Sequence, residues 1–334
     1  MNHSFFRLDC GNRSRIYDTY STVGALKRFP YFGSDSMIID LRTQLHATAE
    51  PEADACGSSP EAYASAMACV DVAVVVGWRA DRLGVDTPPE TIASFVNEDP
   101  VHRAGFAGVD PLADSAMDDL HRTVELGLSG VSICPADQGC RPTHDRCLQT
   151  LEWCAANHLP VLSANPQITD RRSVMEFARP SIWDQVVRDL PTLTLILGDL
   201  GAGWVDEAML LVARHERVFA EISGASANPW SFYNMLQRSI ELDIPEKLLF
   251  GSGFPRQTPE TVIERMYSIN SIRQGSSLPM APRELLRSIV ERDTFRTLDI
   301  DHLASRSTVT APPVVHVNAN ADGGLVSLNA PAAI

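Results

Sequence analysis

The chain has 334 residues and a net charge of −14 at pH 7, with 44% hydrophobic and 21% charged residues. This composition is typical of a globular protein with a large core. The acidic balance argues against nucleic acid as a partner, because phosphate binding needs a surplus of Lys and Arg, and no apolar run is long enough to cross a membrane.

Short β-rich runs alternate with helical stretches along the chain. The predicted strands are Met37–Thr43, Val70–Trp78, Ala104–Val109, Gly130–Pro135, Pro160–Ala164, Thr192–Asp199, Val218–Ser223 and Lys247–Ser252. Several are continuous apolar runs, as expected for a parallel sheet buried on both faces. The predicted helices are Pro60–Ala68, Asp114–Leu126, His144–Asn157, Pro180–Leu190, Val205–Arg214, Trp230–Leu242 and Pro259–Asn270.

Eight strands that alternate with helices indicate an α/β fold, a (β/α)₈ TIM barrel, over residues 37–303. A doubly wound open sheet is the alternative, although no GxGxxG motif follows the first strand. Residues 1–36 are predicted as an N-terminal extension. Residues 304–334 are predicted as a C-terminal tail, in which a turn at 322–324 indicates either a hairpin or a disordered end.

The seven cysteines are odd in number and form no CxxC pair. In a chain of this length, that pattern favours a reducing compartment over a disulfide framework. The first residues also lack the apolar stretch of a secretory signal. We therefore expect a cytoplasmic protein.

In a barrel of this kind the active site lies at the carboxyl ends of the strands. Side chains two residues apart share a face of a strand. On this basis the candidates are Asp40, Arg42 and Gln44 on one face of strand one, Cys134 at the end of strand four, Asp199 on the face of Leu195 and Leu197 in strand six, and Glu221 in strand seven.

Over roughly residues 36–300 the sequence resembles the metal-dependent amidohydrolase superfamily, in particular the branch that includes aminocarboxymuconate-semialdehyde decarboxylase. The motifs that carry the resemblance occur in the family's order at Arg103–Pro111, Glu125–Val131, Arg179–Pro180, Gly201–Trp204, Ile222–Gly224 and Leu249–Ser252. The resemblance implies a barrel with a metal centre that serves hydrolysis or decarboxylation.

The sequence departs from the family at the positions of the metal ligands. The two histidines of the family's D-x-H-x-H motif are replaced by Arg42 and Gln44. Two later histidines are replaced by Ala164 and Asp199, and the family's aspartate is replaced by Gly253. A zinc site needs three or four converging N, O or S donors, and an arginine repels a cation. The substitutions predict that the protein binds no metal. We also expect no other cofactor.

Arg42 has two interpretations, either as the anchor of a small carboxylate ligand or as the partner of Asp199 or Glu221 in an ion pair. Asp199 and Glu221 are correspondingly either a general base with its neighbour or counter-charges that only neutralise Arg42.

Four further residues are candidates for binding a substrate. Gln44, Trp78 and Trp204 are predicted to line or cover a pocket, although aromatic residues at such positions are as often simple packing. Cys134 is either a nucleophile or a buried, inert thiol.

Two hypotheses follow for the function. The first is a barrel that has lost catalysis and binds a partner or small ligand. The second is a metal-independent hydrolase or lyase for a small carboxylate or acyl substrate, with Arg42 as anion anchor and Asp199 or Glu221 as acid–base. Homo-oligomerisation is compatible with both.

Overall fold

Eight parallel strands form one barrel in the computed structural model, which describes residues 37–45, 60–166, 168–201 and 203–300. The barrel strands are β1 (Ile39–Thr43), β2 (Val72–Val76), β3 (Arg103–Gly108), β4 (Gly130–Ile133), β5 (Val161–Ser163), β6 (Leu195–Leu197), β7 (Val218–Glu221) and β8 (Leu248–Leu249). Each strand pairs in parallel with the next one along the chain. The predicted N-terminal extension and C-terminal tail, with its hairpin, lie outside the described residues.

Backbone hydrogen bonds join the first and last strands of the sheet. The amide of Leu41 donates to the carbonyl of Phe250 at 3.0 Å, and the amide of Gly253 donates to the carbonyl of Arg42 at 3.0 Å. The predicted eight-stranded barrel is therefore confirmed, and the alternative of an open, doubly wound sheet is wrong.

The α-helices surround the sheet. They are α1 (Pro60–Ala66), α2 (Pro89–Glu98), α3 (Ala116–Glu125), α4 (Pro135–Gln138), α5 (Asp145–Ala156), α6 (Trp183–Asp189), α7 (Val205–Arg214), α8 (Ser223–Ser226), α9 (Pro229–Glu241), α10 (Pro259–Ser268), α11 (Arg283–Val290) and α12 (Thr294–Thr297). Short 3₁₀ turns lie at Met67–Cys69, Asp81–Leu83, Met175–Ala178, Pro180–Ile182, Pro245–Lys247 and Ile269–Arg273. Residues Gly198–Gly201 form a turn with a left-handed backbone at its centre. A two-residue antiparallel pair, Arg79–Ala80 with Val85–Asp86, follows β2.

The apolar side chains of the strands divide between two main cores. One core gathers alternate residues of six strands and fills the barrel, and its members include Ile39, Val74, Phe106, Leu162, Ile196 and Leu249. The larger core lies between the sheet and the helices, and its strand members include Val131, Val161, Leu195, Leu197 and Val218. The period of two along each strand produces this division.

The alternation predicted for strand six is wrong at its end. Leu195 and Leu197 pack in the core between sheet and helices, but β6 ends at Leu197. Asp199 lies in the following turn with a left-handed backbone, at φ 51°. Because of this turn, the alternation of the strand does not extend to Asp199, and its side chain does not share the face of Leu195 and Leu197.

Strand β1 also departs from simple alternation. Its pairing with β2 slips in register between Asp40 and Thr43. Spacing alone therefore does not establish the predicted common face of Asp40, Arg42 and Gln44.

None of the described helices is both long and apolar enough to cross a membrane.

Candidate functional site

The carboxyl ends of β1, β6 and β7 bring three charged side chains together. Arg42 lies in β1, Glu221 ends β7, and Asp199 follows β6. The Nη1 atom of Arg42 forms an ion pair with Oδ1 of Asp199 and lies 3.4 Å from Oε2 of Glu221. The exposed fractions of the three side chains are 1%, 7% and 0%. The ion pair predicted for Arg42 is thus confirmed, and it involves both carboxylates.

Ser223 completes this group, which we call the Arg42 cluster: Arg42, Asp199, Glu221 and Ser223. The hydroxyl of Ser223 accepts a hydrogen bond from Nη1 of Arg42 at 3.3 Å. It lies 2.9 Å from Oε2 of Glu221 and 3.3 Å from Oδ1 of Asp199. Since a hydroxyl has a single proton, the shorter distance favours donation to Glu221.

The Glu221 carboxylate is also held by the backbone. The amide of Asp199 donates to Oε2 at 3.1 Å, and the amide of Ser223 donates to Oε1. On its other side, a Cβ atom added to Gly251 would lie 2.4 Å from Oε1. Glycine at position 251 therefore gives the Glu221 carboxylate the space that it occupies.

The charges of the cluster shift its pKa values in opposite directions. Burial raises the pKa of Asp199, but the charges of Arg42 and Arg256 and the hydrogen bonds from Arg42 and Ser223 together bring the pKa of this carboxyl below its ordinary value. Burial and the charge of Asp199 together raise the pKa of Glu221 above its ordinary value. Burial lowers the pKa of Arg42, yet the two carboxylates raise it overall, so the guanidinium stays charged.

Asp40 is a third buried carboxyl, next to the two in the cluster. Its Oδ1 accepts hydrogen bonds from the amides of Ser252 at 2.9 Å and Arg42 at 3.1 Å. Its Oδ2 is buried and has no hydrogen-bond partner among the described residues. Burial raises the pKa of Asp40 to about 7, so this carboxyl titrates near neutrality.

The turn that presents Asp199 has an unusual backbone. Asp199 and Leu200 are consecutive residues with left-handed dihedral angles, at φ 51° and 45°. Residues other than glycine adopt this region at an energetic cost. The packing of Leu200, which is fully buried, and the ion pair of Asp199 oppose that cost.

Two of the predicted binding residues lie together beyond β2 and β4. Trp78 and Cys134 pack in one small buried cluster with Leu83. The Nε1 atom of Trp78 is buried without a hydrogen-bond partner in the described part of the chain. Burial and the charge of Asp137 raise the pKa of the Cys134 thiol well above its ordinary value, which favours an inert thiol over a nucleophile.

The other two predicted binding residues are not joined to the Arg42 cluster. Gln44 is half-buried, and its backbone amide donates to the carbonyl of Phe254. Trp204 is half-buried at the start of α7. No hydrogen bond between described residues connects either side chain to the cluster.

Sequence reasoning missed Arg256 as a site residue and did not assign a role to Ser223. Arg256 is 57% exposed, and its Nη2 lies 3.8 Å from Oδ1 of Asp199. Ser223 stands two residues after Glu221, at the end of the predicted strand Val218–Ser223. Nothing in the local sequence marks Arg256, because its proximity to Asp199 arises from the loop after β8.

The fold and its strand-end cluster define a TIM-barrel protein. The chain belongs to the Amidohydrolase family, whose model matches residues 32–274. No curated protein matches the chain.

Solved structures share the fold at low sequence identity. An uncharacterized TIM-barrel protein from Bordetella bronchiseptica is 20% identical, with a TM-score of 0.63, over 80% of this chain and 99% of the other. A probable 2-pyrone-4,6-dicarboxylic acid hydrolase from Acinetobacter baumannii, with citric acid bound, is 14% identical, with a TM-score of 0.57, over 78% and 99%. A 5-carboxyvanillate decarboxylase from Sphingomonas paucimobilis is 14% identical, with a TM-score of 0.57, over 79% and 99%.

The residues present do not fit the metal centre that the family resemblance implies. Ala164 and Gly253 have no side-chain donor atoms, and the charged guanidinium of Arg42 lies against both Asp199 and Glu221. The described residues contain no group of three or more His, Cys, Asp or Glu side chains arranged to hold a metal ion. Gly253 also has a φ of 68°, and a Cβ atom there would lie 3.0 Å from Cβ of Ser223, so an aspartate would press on the cluster.

Proposed function

We propose that this chain is a metal-independent member of its family that binds a small carboxylate and does not catalyse a metal-dependent reaction. The observation that carries the proposal is the buried ion pairing of Arg42 with Asp199 and Glu221. A metal-activated water needs an open coordination position on a cation. A guanidinium has no coordination position, so Arg42 supplies the positive charge of a metal ion but cannot activate a water molecule.

The state of the carboxylates supports a binding role over catalysis. A general base must be within hydrogen-bond reach of the proton that it removes. Glu221 is fully buried and accepts hydrogen bonds from two backbone amides and one hydroxyl. Asp199 is paired with Arg42, which lowers its pKa and its basicity. Neither group is free to take a proton from a ligand in this arrangement.

The ligand class is inferred from unpartnered donors. Nη2 of Arg42 and Nε1 of Trp78 are buried N–H groups without a hydrogen-bond partner among the described residues. Buried donors of this kind call for an acceptor, and a carboxylate supplies two acceptor oxygens that suit a guanidinium. The exposed guanidinium of Arg256 adds positive charge nearby. The citric acid in the Acinetobacter baumannii structure is consistent with this choice of ligand.

A second candidate is a metal-independent hydrolase or lyase for a small carboxylate or acyl substrate. The observation in its favour is that the pKa values of two neighbouring carboxyls are shifted in opposite directions: that of Glu221 is raised, and that of Asp199 is lowered. Such a division is typical of acid–base pairs in enzymes. In this mechanism a substrate carboxylate would bind Arg42 and displace Asp199 from its ion pair. Asp199 would then serve as the base, and Glu221 would donate a proton.

The test is calorimetric titration of the protein with citrate and with benzoate in the presence of EDTA. We expect saturable binding that weakens in Trp78→Phe, which removes the indole N–H and keeps an aromatic ring, while Trp204→Phe serves as the matched control. Equal affinity of wild type and Trp78→Phe, or no binding at all, would contradict the proposed ligand site. Turnover of a carboxylate in EDTA that Glu221→Gln abolishes would instead establish the second candidate.

The cellular setting also remains a proposal. The five cysteines of the described residues have free thiols, which supports the predicted cytoplasmic location. Homo-oligomerisation stays a prediction.

A further inference from the structure

Two cysteine side chains contact each other outside the Arg42 cluster. The thiols of Cys140 and Cys147 are joined by a hydrogen bond, and both residues are 1% exposed in the core between the sheet and the helices. Both are free thiols. We propose that Cys140 and Cys147 form a reversible disulfide when the protein meets a hydroperoxide, with Cys140 as the sulfur that attacks the oxidant.

The backbone holds the two cysteines against each other from different elements. Helix α4 is followed by Gly139, whose left-handed backbone at φ 67° turns the chain, and the amide of Cys140 donates to the carbonyl of Pro135 at 3.0 Å. Cys147 lies in the first turn of α5, and the side chain of His144 caps this helix. Because the thiols are already in contact, closing to the ~2 Å of an S–S bond requires only a short movement of the side chains.

The surroundings divide the protons unequally between the two sulfurs. The hydrogen bond from Cys147 and the charge of Arg146 outweigh burial and bring the pKa of the Cys140 thiol below its ordinary value. The same hydrogen bond, together with burial, raises the pKa of Cys147 well above its ordinary value. Since the thiolate is the nucleophile, Cys140 attacks first and Cys147 is the resolving thiol beside it.

The oxidation consumes one hydrogen peroxide for each disulfide. The thiolate of Cys140 attacks the peroxide, so that an S–O bond forms and the O–O bond breaks, and the leaving hydroxide takes up a proton. The sulfur of Cys147 then attacks the sulfenic acid of Cys140: an S–S bond forms, the S–O bond breaks, and the second hydroxide leaves as water with the proton of Cys147. The two thiols thereby lose two electrons, which reduce the peroxide to two water molecules.

The oxidant reaches the pair through an irregular segment. Residues 139–144 join α4 to α5, and Arg141 and His144 within this segment are exposed. Local opening of such a segment costs less free energy than global unfolding. A small oxidant can therefore meet Cys140 while the barrel stays folded.

Two other buried cysteines provide matched controls. Cys154 lies two turns beyond Cys147 on α5, and burial raises its pKa to about 12. Burial also raises the pKa of Cys134 well above its ordinary value. Both hold their protons at neutral pH, so neither should react with a peroxide as Cys140 does.

The experiment treats the reduced, full-length wild type with hydrogen peroxide, blocks the remaining thiols with N-ethylmaleimide in urea, and maps the peptides by mass spectrometry. Cleavage before Asp137 and Asp145 and after Leu148 places Cys140 and Cys147 in separate peptides that contain no other cysteine. We expect a disulfide between these two peptides that dithiothreitol reverses, formed at least ~10-fold faster than any oxidation of Cys154.

Single variants test the order of attack. In Cys147→Ala, oxidation of Cys140 should stop at the sulfenic acid, which dimedone traps. In Cys140→Ala, Cys147 should stay reduced. Cys154→Ala, the matched control, should form the same disulfide as the wild type.

The peptide map of the wild type decides the proposal even if an alanine variant fails to fold. A native protein that forms no disulfide, at a peroxide concentration that oxidises the same chain in urea, would overturn the proposal. A disulfide that joins Cys134 or Cys154 in place of the proposed pair would also overturn it. Dimedone labelling of Cys147 in a folded Cys140→Ala protein would contradict the assignment of Cys140 as the attacking sulfur.

Discussion

The buried carboxyl of Asp40 should make the stability of this protein fall as the pH rises through neutrality. Burial raises the pKa of Asp40 from 3.8 to about 7 in the folded protein. The folded state therefore binds the proton more tightly than the unfolded chain, and ionisation favours unfolding. The loss begins above the unfolded pKa and is complete once the pH exceeds the folded pKa.

The size of the effect follows from the two pKa values. One pKa unit corresponds to about 1.4 kcal/mol, so the full cost of ionising Asp40 is about 4 kcal/mol. Between pH 5 and pH 8 the free energy of unfolding should fall by about 2.5 kcal/mol through Asp40 alone.

The assay is urea denaturation of wild type and Asp40→Asn at several pH values between 5 and 8. Asparagine keeps an oxygen that can accept from the amides of Arg42 and Ser252, and it cannot ionise. The variant should therefore gain stability relative to the wild type as the pH rises. Parallel pH profiles, or a wild type that gains on the variant with rising pH, would refute the reasoning.

Three other perturbations have defined outcomes. Arg42→Ala leaves two buried carboxylates unpaired and should lower the free energy of unfolding in urea by about 3–5 kcal/mol; a loss no larger than the ~1 kcal/mol expected of the exposed Arg256→Ala would count against the ion pairs. Gly251→Ala places a Cβ atom 2.4 Å from Glu221 and should lower the melting temperature through a cost of about 1–3 kcal/mol, so an unchanged melting temperature would show that the carboxylate has free space. Burial raises the pKa of Cys134, so iodoacetamide at pH 8 should label this thiol far more slowly in the native protein than in urea. Mass spectrometry measures the labelling, and equal rates would disprove an inert thiol.

The barrel itself was predictable because its strands are short apolar runs with regular spacing. The predicted strands mostly extend beyond the observed ones, since flanking residues such as Val70 and Trp78 are apolar without joining the ladder. Five helices were missed: α2, α4, α8, α11 and α12. The segment that forms α2 begins with Pro88 and Pro89, a pair that is as typical of a loop as of a helix start.

The candidate site was predictable in its charges and less so in its geometry. A buried arginine at the strand ends requires anions, and Asp199 and Glu221 follow from this requirement and the sequence alone. The left-handed turn at Asp199 and the approach of Arg256 depend on the path of the backbone after β6 and β8. Spacing within a strand contains no information about these turns.

Elemental analysis of the purified wild-type protein, expressed in medium supplemented with zinc, manganese and iron, tests whether the strand ends hold a metal. We expect none of the three metals to copurify in stoichiometric amount, because the guanidinium of Arg42 lies against Asp199 and Glu221. One equivalent of any of them, retained after dialysis and released by a chelator, would contradict this expectation.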